Sequence, residues 1–321
     1  MKCCILYNQP AENALPDELD ILDQVEWVEI NLNKMGISTF RKGITNNFIN
    51  EISLLAKDEF DFVFNLVESI NNKGELLYFI PAVLNMYELP YTGNPLEAMF
   101  LTTSKLLTAK ILKKSGIQTP ETFDISSYKY LKPGEKYILK PVWEDGSQGI
   151  TAESVFIYGP EYENKILGLK QTHWLVQEFI EGREFNVSIL SGQDSKPEIL
   201  PIAEMMFIDF GPDRPTILDF KAKWIEGCFE YENTMRQFPG DKLDEALKMK
   251  IENIAFRCWD IFGLKGYARV DIRVDKNNNP FVIEINANPC ISHNGGFVAA
   301  TEEAGYEFTE VLKRIIDDIN Y

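Results

Sequence analysis

Histidine is almost missing from this chain: 321 residues contain two, His173 and His293. That argues against a histidine-built zinc centre, which needs several imidazoles or thiolates at set spacings. The five cysteines (Cys3, Cys4, Cys228, Cys258 and Cys290) are odd in number, scattered, and lack a C-x-x-C pair. Free thiols in a reducing, cytoplasmic setting are expected, not a disulfide framework. No apolar run approaches the ~20 residues of a membrane span, and Met1–Tyr7 lacks the design of a secretion signal. Positive charge is scarce too: 32 Lys and Arg face 49 Asp and Glu, a net charge of −17. Nucleic acid and anionic membranes are therefore poor partners. With 45% hydrophobic and 25% charged residues, what is left is an ordinary globular composition, long enough for more than one domain.

The most informative segment is GYARVDIRVDKNNNPFVIEINANP, Gly266–Pro289. Ala268, Val270, Ile272 and Val274 alternate with Arg269, Asp271 and Arg273. A polar turn follows, and then Val282, Ile283 and Ile285 interleave with Glu284 and Asn286. The pattern predicts a hairpin, with Pro280 opening its second strand. Placing Asp275 opposite Pro280 sets Asp271 beside Glu284 and Arg269 beside Asn286. With a side-chain period of two, all four then share one face. Two carboxylates and an amide oxygen are hard ligands suited to Mg²⁺, and an arginine suits a phosphate oxygen. The alternative is a solvent-facing polar stripe.

Upstream, Lys2–Tyr7 and Phe60–Val67 read as buried strands, and Asp20–Met35 and Leu76–Leu84 as helices. This alternation predicts an α/β domain up to about residue 100. Ser104–Gly116 reads as a helix with a serine cap and a glycine stop. Strands are expected at Tyr137–Pro141, near Ala152–Tyr158, at His173–Ile180 and at Glu184–Leu190. Lys242–Gly263 carries one apolar helical face, and Glu307–Ile319 closes the chain as a helix. Between Lys140 and Gly149, KPVWEDGSQG places a cation at a strand end before a loop whose Gly146, Ser147 and Gly149 can turn backbone N–H groups onto phosphates. It is not a Walker loop, and Lys140 also reads as a snorkelling edge lysine. Glu178 or Glu184 is placed to meet ribose hydroxyls. Lys221 and Lys223, read as neighbours on one strand face, each have the length to reach a terminal phosphate. Cys290 reads as a structural thiol with no base partner beyond His293.

In this order the segments resemble the ATP-grasp superfamily, and within it the D-alanine–D-alanine ligase-like group. The resemblance covers nearly the whole chain and is closest from Tyr91 to Pro289. It implies a three-part ATP-grasp fold of α/β and α+β domains: a Rossmann-like unit at 1–102, a central domain at 103–181 and a C-terminal domain at 182–321. Tyr91-Thr92-Gly93-Asn94 followed by Ser104-Lys105 resembles a segment whose lysine touches nucleotide phosphates. Tyr137–Pro141 resembles the strand whose lysine, here Lys140, holds the α- and β-phosphates. Glu144–Gly149, with Gly146 and Ser147, resembles the loop that covers them. Gln177, Phe179 and Ile180 fall at adenine positions, with Ile283 also in the nucleotide set. Glu184 matches the ribose-binding acid and Lys223 the lysine near the γ-phosphate. Arg269 matches the catalytic arginine, and Asp271, Glu284 and Asn286 match the Mg²⁺ ligands, with Mn²⁺ as a substitute metal.

The implied reaction is ATP-dependent joining of a carboxylate to an amine through an acyl phosphate, releasing ADP and phosphate. The implied substrates are small: amino acids or a peptide. A homodimer is an assembly common in the family. The substrate side departs from the pattern. Gly146 stands where a serine is usual, Trp224 replaces a tyrosine, and Val67-Glu68 replaces His-Gly. Cys290 replaces a glycine, Gly295 lies where a serine holds the second carboxylate, and Glu18 is one choice for the N-terminal substrate acid. Three other readings stand beside the divergent ligase: a genuine D-alanine–D-alanine ligase, an ATP-grasp small-molecule kinase, and a silent ATP-binding module.

Overall fold

The computed structural model describes residues 1–170, 172–192 and 196–319. Among these residues three sheets carry the fold. The first is parallel, with order β2–β1–β3, from β1 (Lys2–Asn8), β2 (Ser38–Ile44) and β3 (Phe62–Asn65). Helix α1 (Pro16–Lys34) crosses between β1 and β2. It starts on a proline, which is preset for a first helical turn and has no N–H to leave orphaned. The expectation of a strand–helix–strand start is met, with α1 beginning four residues earlier than the apolar spacing suggested.

The second sheet is antiparallel, with order β4–β7–β5–β6. It comprises β4 (Thr122–Asp124), β5 (Lys136–Pro141), β6 (Val155–Ile157) and β7 (Trp174–Glu178). Much of the segment expected as a strand near Ala152–Tyr158 is a 3-10 turn at Ala152–Ser154, leaving only three residues of strand. The third sheet runs β11–β10–β8–β12–β13, with β9 (Pro197–Ile199) on β8. Its members are β8 (Arg183–Ser191), β10 (Ala203–Phe207), β11 (Thr234–Gln237), β12 (Tyr267–Val274) and β13 (Pro280–Asn286). Gly182 makes the turn from β7 into β8 at φ +142, where a Cβ would meet Val274 O at 2.1 Å, so only glycine fits.

Helix formation follows local chemistry. A short α4 (Leu96–Thr103) precedes α5 (Lys105–Lys114), and Ser104 caps α5 by accepting from Leu107 N. Further on, α9 (Glu245–Phe262) is capped by Asp244 and ends on Gly263 in the left-handed region. Its apolar face, Leu247, Ile251, Ile254 and Cys258, is buried together with Leu243 just before it. Each such aliphatic side chain contributes about 1.5–3 kcal/mol by leaving water. The same core cluster runs from β1 through α3 (Phe79–Met86) to β8, β12 and β13. The first and third sheets are thus welded by shared packing. Among the described residues no helix is long and apolar enough to cross a membrane.

Candidate active site

The hairpin forms, with one correction. Arg269 pairs with Asn286 and Asp271 with Glu284, as the spacing predicts. Nearer the turn, however, Val274 and not Asp275 lies opposite Pro280. A bulge between Asp271 and Ile272 absorbs the difference: Ile272 pairs with Val282, so Ile283 is skipped. Val282 and Ile285 stay in the core while Ile283 and Glu284 are both half-buried, which brings the two to the site side together.

The four polar side chains converge. Arg269 donates from Nε to Asp271 Oδ1 at 2.7 Å and from Nη2 to Asp271 Oδ2 at 2.8 Å. Asn286 Nδ2 reaches Asp271 Oδ2 at 3.1 Å, and Asn186 on β8 reaches Oδ1 at 2.8 Å. Glu284 Oε1 lies 3.0 Å from Lys105 Nζ yet has no aligned hydrogen bond, although it is buried. Burial, the largest single influence, would raise the Glu284 carboxyl, but Lys105, Asp145, Lys140 and Lys223 together outweigh it and hold the group far below the usual range.

Three lysines from three elements face this centre. Lys105 opens α5, and its ammonium donates to Glu144 O at 2.6 Å and to Asp145 Oδ1 at 3.1 Å. Burial disfavours its charge, but Glu284 and Asp145 raise its pKa overall. Lys140, at the end of β5, is 7% exposed, and its ammonium has no hydrogen bond or ion pair among the described residues. Desolvation pushes it down to about 8, against the pull of Glu284. Lys223 is lowered by burial first and then by Arg269. It does not lie on a strand as expected: Phe220–Trp224 is a short helix, α7, capped by Asp219. The helical turn separates the two lysines, so Lys221 is solvent-exposed while Lys223 faces the acids.

The glycine loop is drawn down over the site. Gly146 and Ser147 both take φ +65, a strained value for serine. Ser147 Oγ donates to Leu218 O, and Trp224 Nε1 donates to Gly146 O at 3.0 Å. Gln148 Nε2 reaches Asp17 Oδ2 at 2.7 Å, tying the loop to α1. Glu18, the residue singled out in the sequence, is used otherwise: it accepts from Leu15 N at 2.8 Å and from Asn72 Nδ2 at 2.6 Å. Asp17 is the acid that meets the loop.

At the other end, Gln177 is buried on β7 and donates to Thr122 Oγ1 at 3.0 Å. Phe179 and Ile180 follow it and are buried. Glu178 is exposed and Glu184 buried, which leaves only Glu184 in the site. Glu184 is raised by desolvation, and Arg273 Nη1 holds its Oε2 at 2.8 Å. Arg273 also donates to Ile180 O, Gly182 O and Thr216 O, so one guanidinium fixes the hinge. Sequence reading passed over Arg273, yet its alternation with Arg269 and Asp271 was a usable signal. Asn186 was missed as well, and Asn94 was read only as part of the Tyr91–Asn94 segment, without its bonding role. Asn94 Nδ2 donates to Tyr267 O at 2.8 Å and to Ala287 O, and its Oδ1 accepts from Lys265 N at 2.8 Å. Nothing local marks such a staple. Cys290 donates to Asp20 Oδ2 at 3.0 Å, while the His293 ring packs tilted at 45° against Trp27 with ring centres 4.5 Å apart. Burial and then Asp20 drive the thiol well above its ordinary value, so it is no thiolate.

The donor set fits a divalent cation held against phosphate. Asp271, Glu284 and the Asn286 amide supply hard oxygens, and Glu284 Oε1 is the orphaned one. Among the described residues no three His, Cys, Asp or Glu side chains converge as a metal site, so phosphate oxygens would have to complete the shell.

A crystal structure of a D-alanine–D-alanine ligase from Bacillus anthracis superposes with a TM-score of 0.75 at 19% identity, covering 99% of this chain and 97% of that one. The family model described as the D-ala D-ala ligase C-terminus matches residues 138–317. A D-alanine–D-alanine ligase from Aquifex aeolicus is 30% identical over 244 residues, 74% of this chain and 76% of its own length. An uncharacterised protein from Sinorhizobium fredii is 27% identical over 267 residues, 79% and 73% of the two chains. Fold and matched sequence together define an ATP-grasp ligase, an enzyme that makes carbon–nitrogen bonds. The chain belongs to the D-alanine–D-alanine ligase family.

Proposed function

We propose that this enzyme uses ATP to join the carboxylate of one small substrate, an amino acid or peptide, to the amine of another through an acyl phosphate. The observation that carries the reading is the buried Lys140, without a hydrogen bond or ion pair among the described residues, set beside Glu284, Lys105 and Glu184. A desolvated lysine without a counter-ion is costly in a folded protein unless an anion occupies its neighbourhood in the working state. Lys105, Lys140 and Lys223 surround a space whose missing partner is polyanionic, as a triphosphate is.

The roles follow from placement. Gln177, Phe179, Ile180 and Ile283 would line the adenine, and Glu184 would take ribose hydroxyls with the oxygen Arg273 leaves free. Asp271, Glu284 and Asn286 would hold Mg²⁺, or Mn²⁺, which when bound would neutralise phosphate charge. Arg269, fixed bidentately by Asp271, would stabilise charge on the transferred phosphoryl group and on the tetrahedral adduct formed when the amine attacks. Gly146 and Ser147 would cover the phosphates, and the tethers to Trp224 and Asp17 would keep water from the acyl phosphate. Division into units at 1–102, 103–181 and 182–321 and a cytoplasmic setting accompany this reading.

The rebuilt contacts Trp224–Gly146 and Gln148–Asp17 favour substrates other than two D-alanines. The test is ADP release from Mg-ATP with pooled D- and L-amino acids and hydroxylamine as trap. Amino-acid-dependent ADP with a hydroxamate supports the ligase. A pair of D-alanines as the best substrates would restore the ordinary family activity. A stable phosphoester would indicate a kinase, and bound ATP with no turnover under any condition a silent module.

A further inference from the structure

One face of α1 carries an uncommon buried polar stripe. Asp17, Asp20 and Gln24 recur at three- and four-residue steps and so point the same way. Asp17 is 8% exposed and Gln24 2%. Gln24 Nε2 donates both to Asp20 Oδ2 at 3.1 Å and to Glu68 Oε1 at 2.9 Å, drawing the two acids together. Cys290 adds its S–H to Asp20 Oδ2. Asp17 Oδ2 takes Gln148 of the covering loop, but Asp17 Oδ1 is buried with no partner. None of the three carboxylates has an ion pair with Lys, Arg or His among the described residues.

The cluster adjoins the reaction centre. Cys290 lies four residues beyond Asn286 on the chain leaving β13, and Asn288 bridges Tyr267 Oη at 2.8 Å and Val67 O at 3.0 Å beside Glu68. Gln148 brings the covering loop to its opposite side. Three carboxylates in one half-dry space exceed what a single α-ammonium can neutralise. Desolvation, against the Gln24 hydrogen bond and reinforced by Asp20 and Asp17, drives Glu68 up to about 7, so the unliganded cluster is short of positive charge.

Resting on the ligase reading above, we infer that one substrate is a basic amino acid, whose side-chain cation is held by Asp20 and Glu68 while Asp17 is left for its ammonium. The neutral donors Gln24 and Cys290 orient the acids without cancelling them, which suits a cationic ligand better than alanine or serine.

The test is calorimetric binding to the full chain with Mg²⁺ and a non-hydrolysable ATP analogue, using both enantiomers of ornithine, lysine, arginine, alanine and serine. At least one basic amino acid is expected to bind about tenfold or more tightly than alanine or serine. Glu68→Gln and Asp20→Asn, each isosteric, are expected to erase that preference by weakening the basic ligand alone. Equal or tighter binding of alanine or serine, or a preference that survives both substitutions, overturns the inference. Selective binding of a basic amino acid without ADP release under Mg-ATP sinks the ligase reading and leaves the cation site standing.

Discussion

Arg269 and Asp271, two residues apart on one strand, meet in a two-point ion pair of 2.7 and 2.8 Å. Neighbours at this spacing share a sheet face, so the guanidinium is held from below by its own strand and stays aimed at the phosphoryl position. Asp271→Asn removes both the charge and one end of the fork. Turnover is expected to fall about 100-fold or more, as when a preorganised stabiliser of transition-state charge is lost. Steady-state ADP release measures it, and turnover within a fewfold of the parent removes Asp271 from the mechanism. Glu284→Gln is expected to weaken apparent Mg²⁺ or Mn²⁺ affinity by about 10–100-fold, read by metal titration.

Lys140 supplies a proton-linked signature. Its pKa of about 8 in the free protein lies below its ordinary value because the ammonium is desolvated. An arriving triphosphate stabilises the charged form, so its pKa rises. Nucleotide binding between about pH 8 and 10 is therefore expected to take up a proton, approaching one per site. Calorimetry at pH 9 in two buffers of different ionisation enthalpy reads it directly. Lys140→Met is expected to abolish uptake and weaken nucleotide binding. It is also expected to raise the melting temperature of the free protein, since a buried unpaired cation is removed.

The covering loop gives a coupling prediction. Trp224→Phe keeps the aromatic body but deletes the bond from Nε1 to Gly146 O, worth about 1 kcal/mol. Gln148→Ala cuts the tether to Asp17. A looser loop admits water to the acyl phosphate, so ADP is expected to exceed amide product in both variants. The ratio of ADP to amide is the readout; a ratio unchanged from the parent in both would remove these tethers from water exclusion.

Glu68 links the acidic cluster to stability. Its folded pKa, about 7, lies above its ordinary value, so the folded state favours the proton. That contribution is whole below the unfolded pKa, falls as pH rises through the folded value, and is gone above it. Melting temperature should therefore carry a declining component between about pH 4.5 and 7 that Glu68→Gln removes. At pH 8 the variant is expected to melt about 2 °C or more above the parent, as a buried charge is deleted. A melting profile in which parent and variant stay parallel across this range would count against it.

Much of the site was readable because it is local. Hairpin pairing ties residues 13 to 17 apart, so alternation alone placed Arg269, Asp271, Glu284 and Asn286 together. The turn end was misread by one residue because a bulge leaves no mark in an alternating pattern, and Ile283 resembles any strand isoleucine. Lys221 and Lys223 read as a strand because five residues cannot separate period two from 3.6, and only the structure shows the Asp219 cap deciding for a helix. Glu18, one choice for the N-terminal substrate acid, is instead taken up by helix capping at Leu15 N.

By itself, then, the sequence determined the hairpin's functional face, the lysine at the end of β5, the helix cap at Ser104, and through its motifs the family. These depend on period, propensity and short-range pairing, which a linear pattern carries. Only the tertiary structure decided that Lys105 reaches Glu284, that Asp17 and not Glu18 meets the covering loop, and that Asp20, Gln24, Glu68 and Cys290 share one pocket. Apart from Asp20–Gln24, one turn apart on α1, those contacts join residues tens to hundreds of positions apart. They exist because sheets and helices pack their apolar faces together, and the polar groups at the rims are brought into register by that packing.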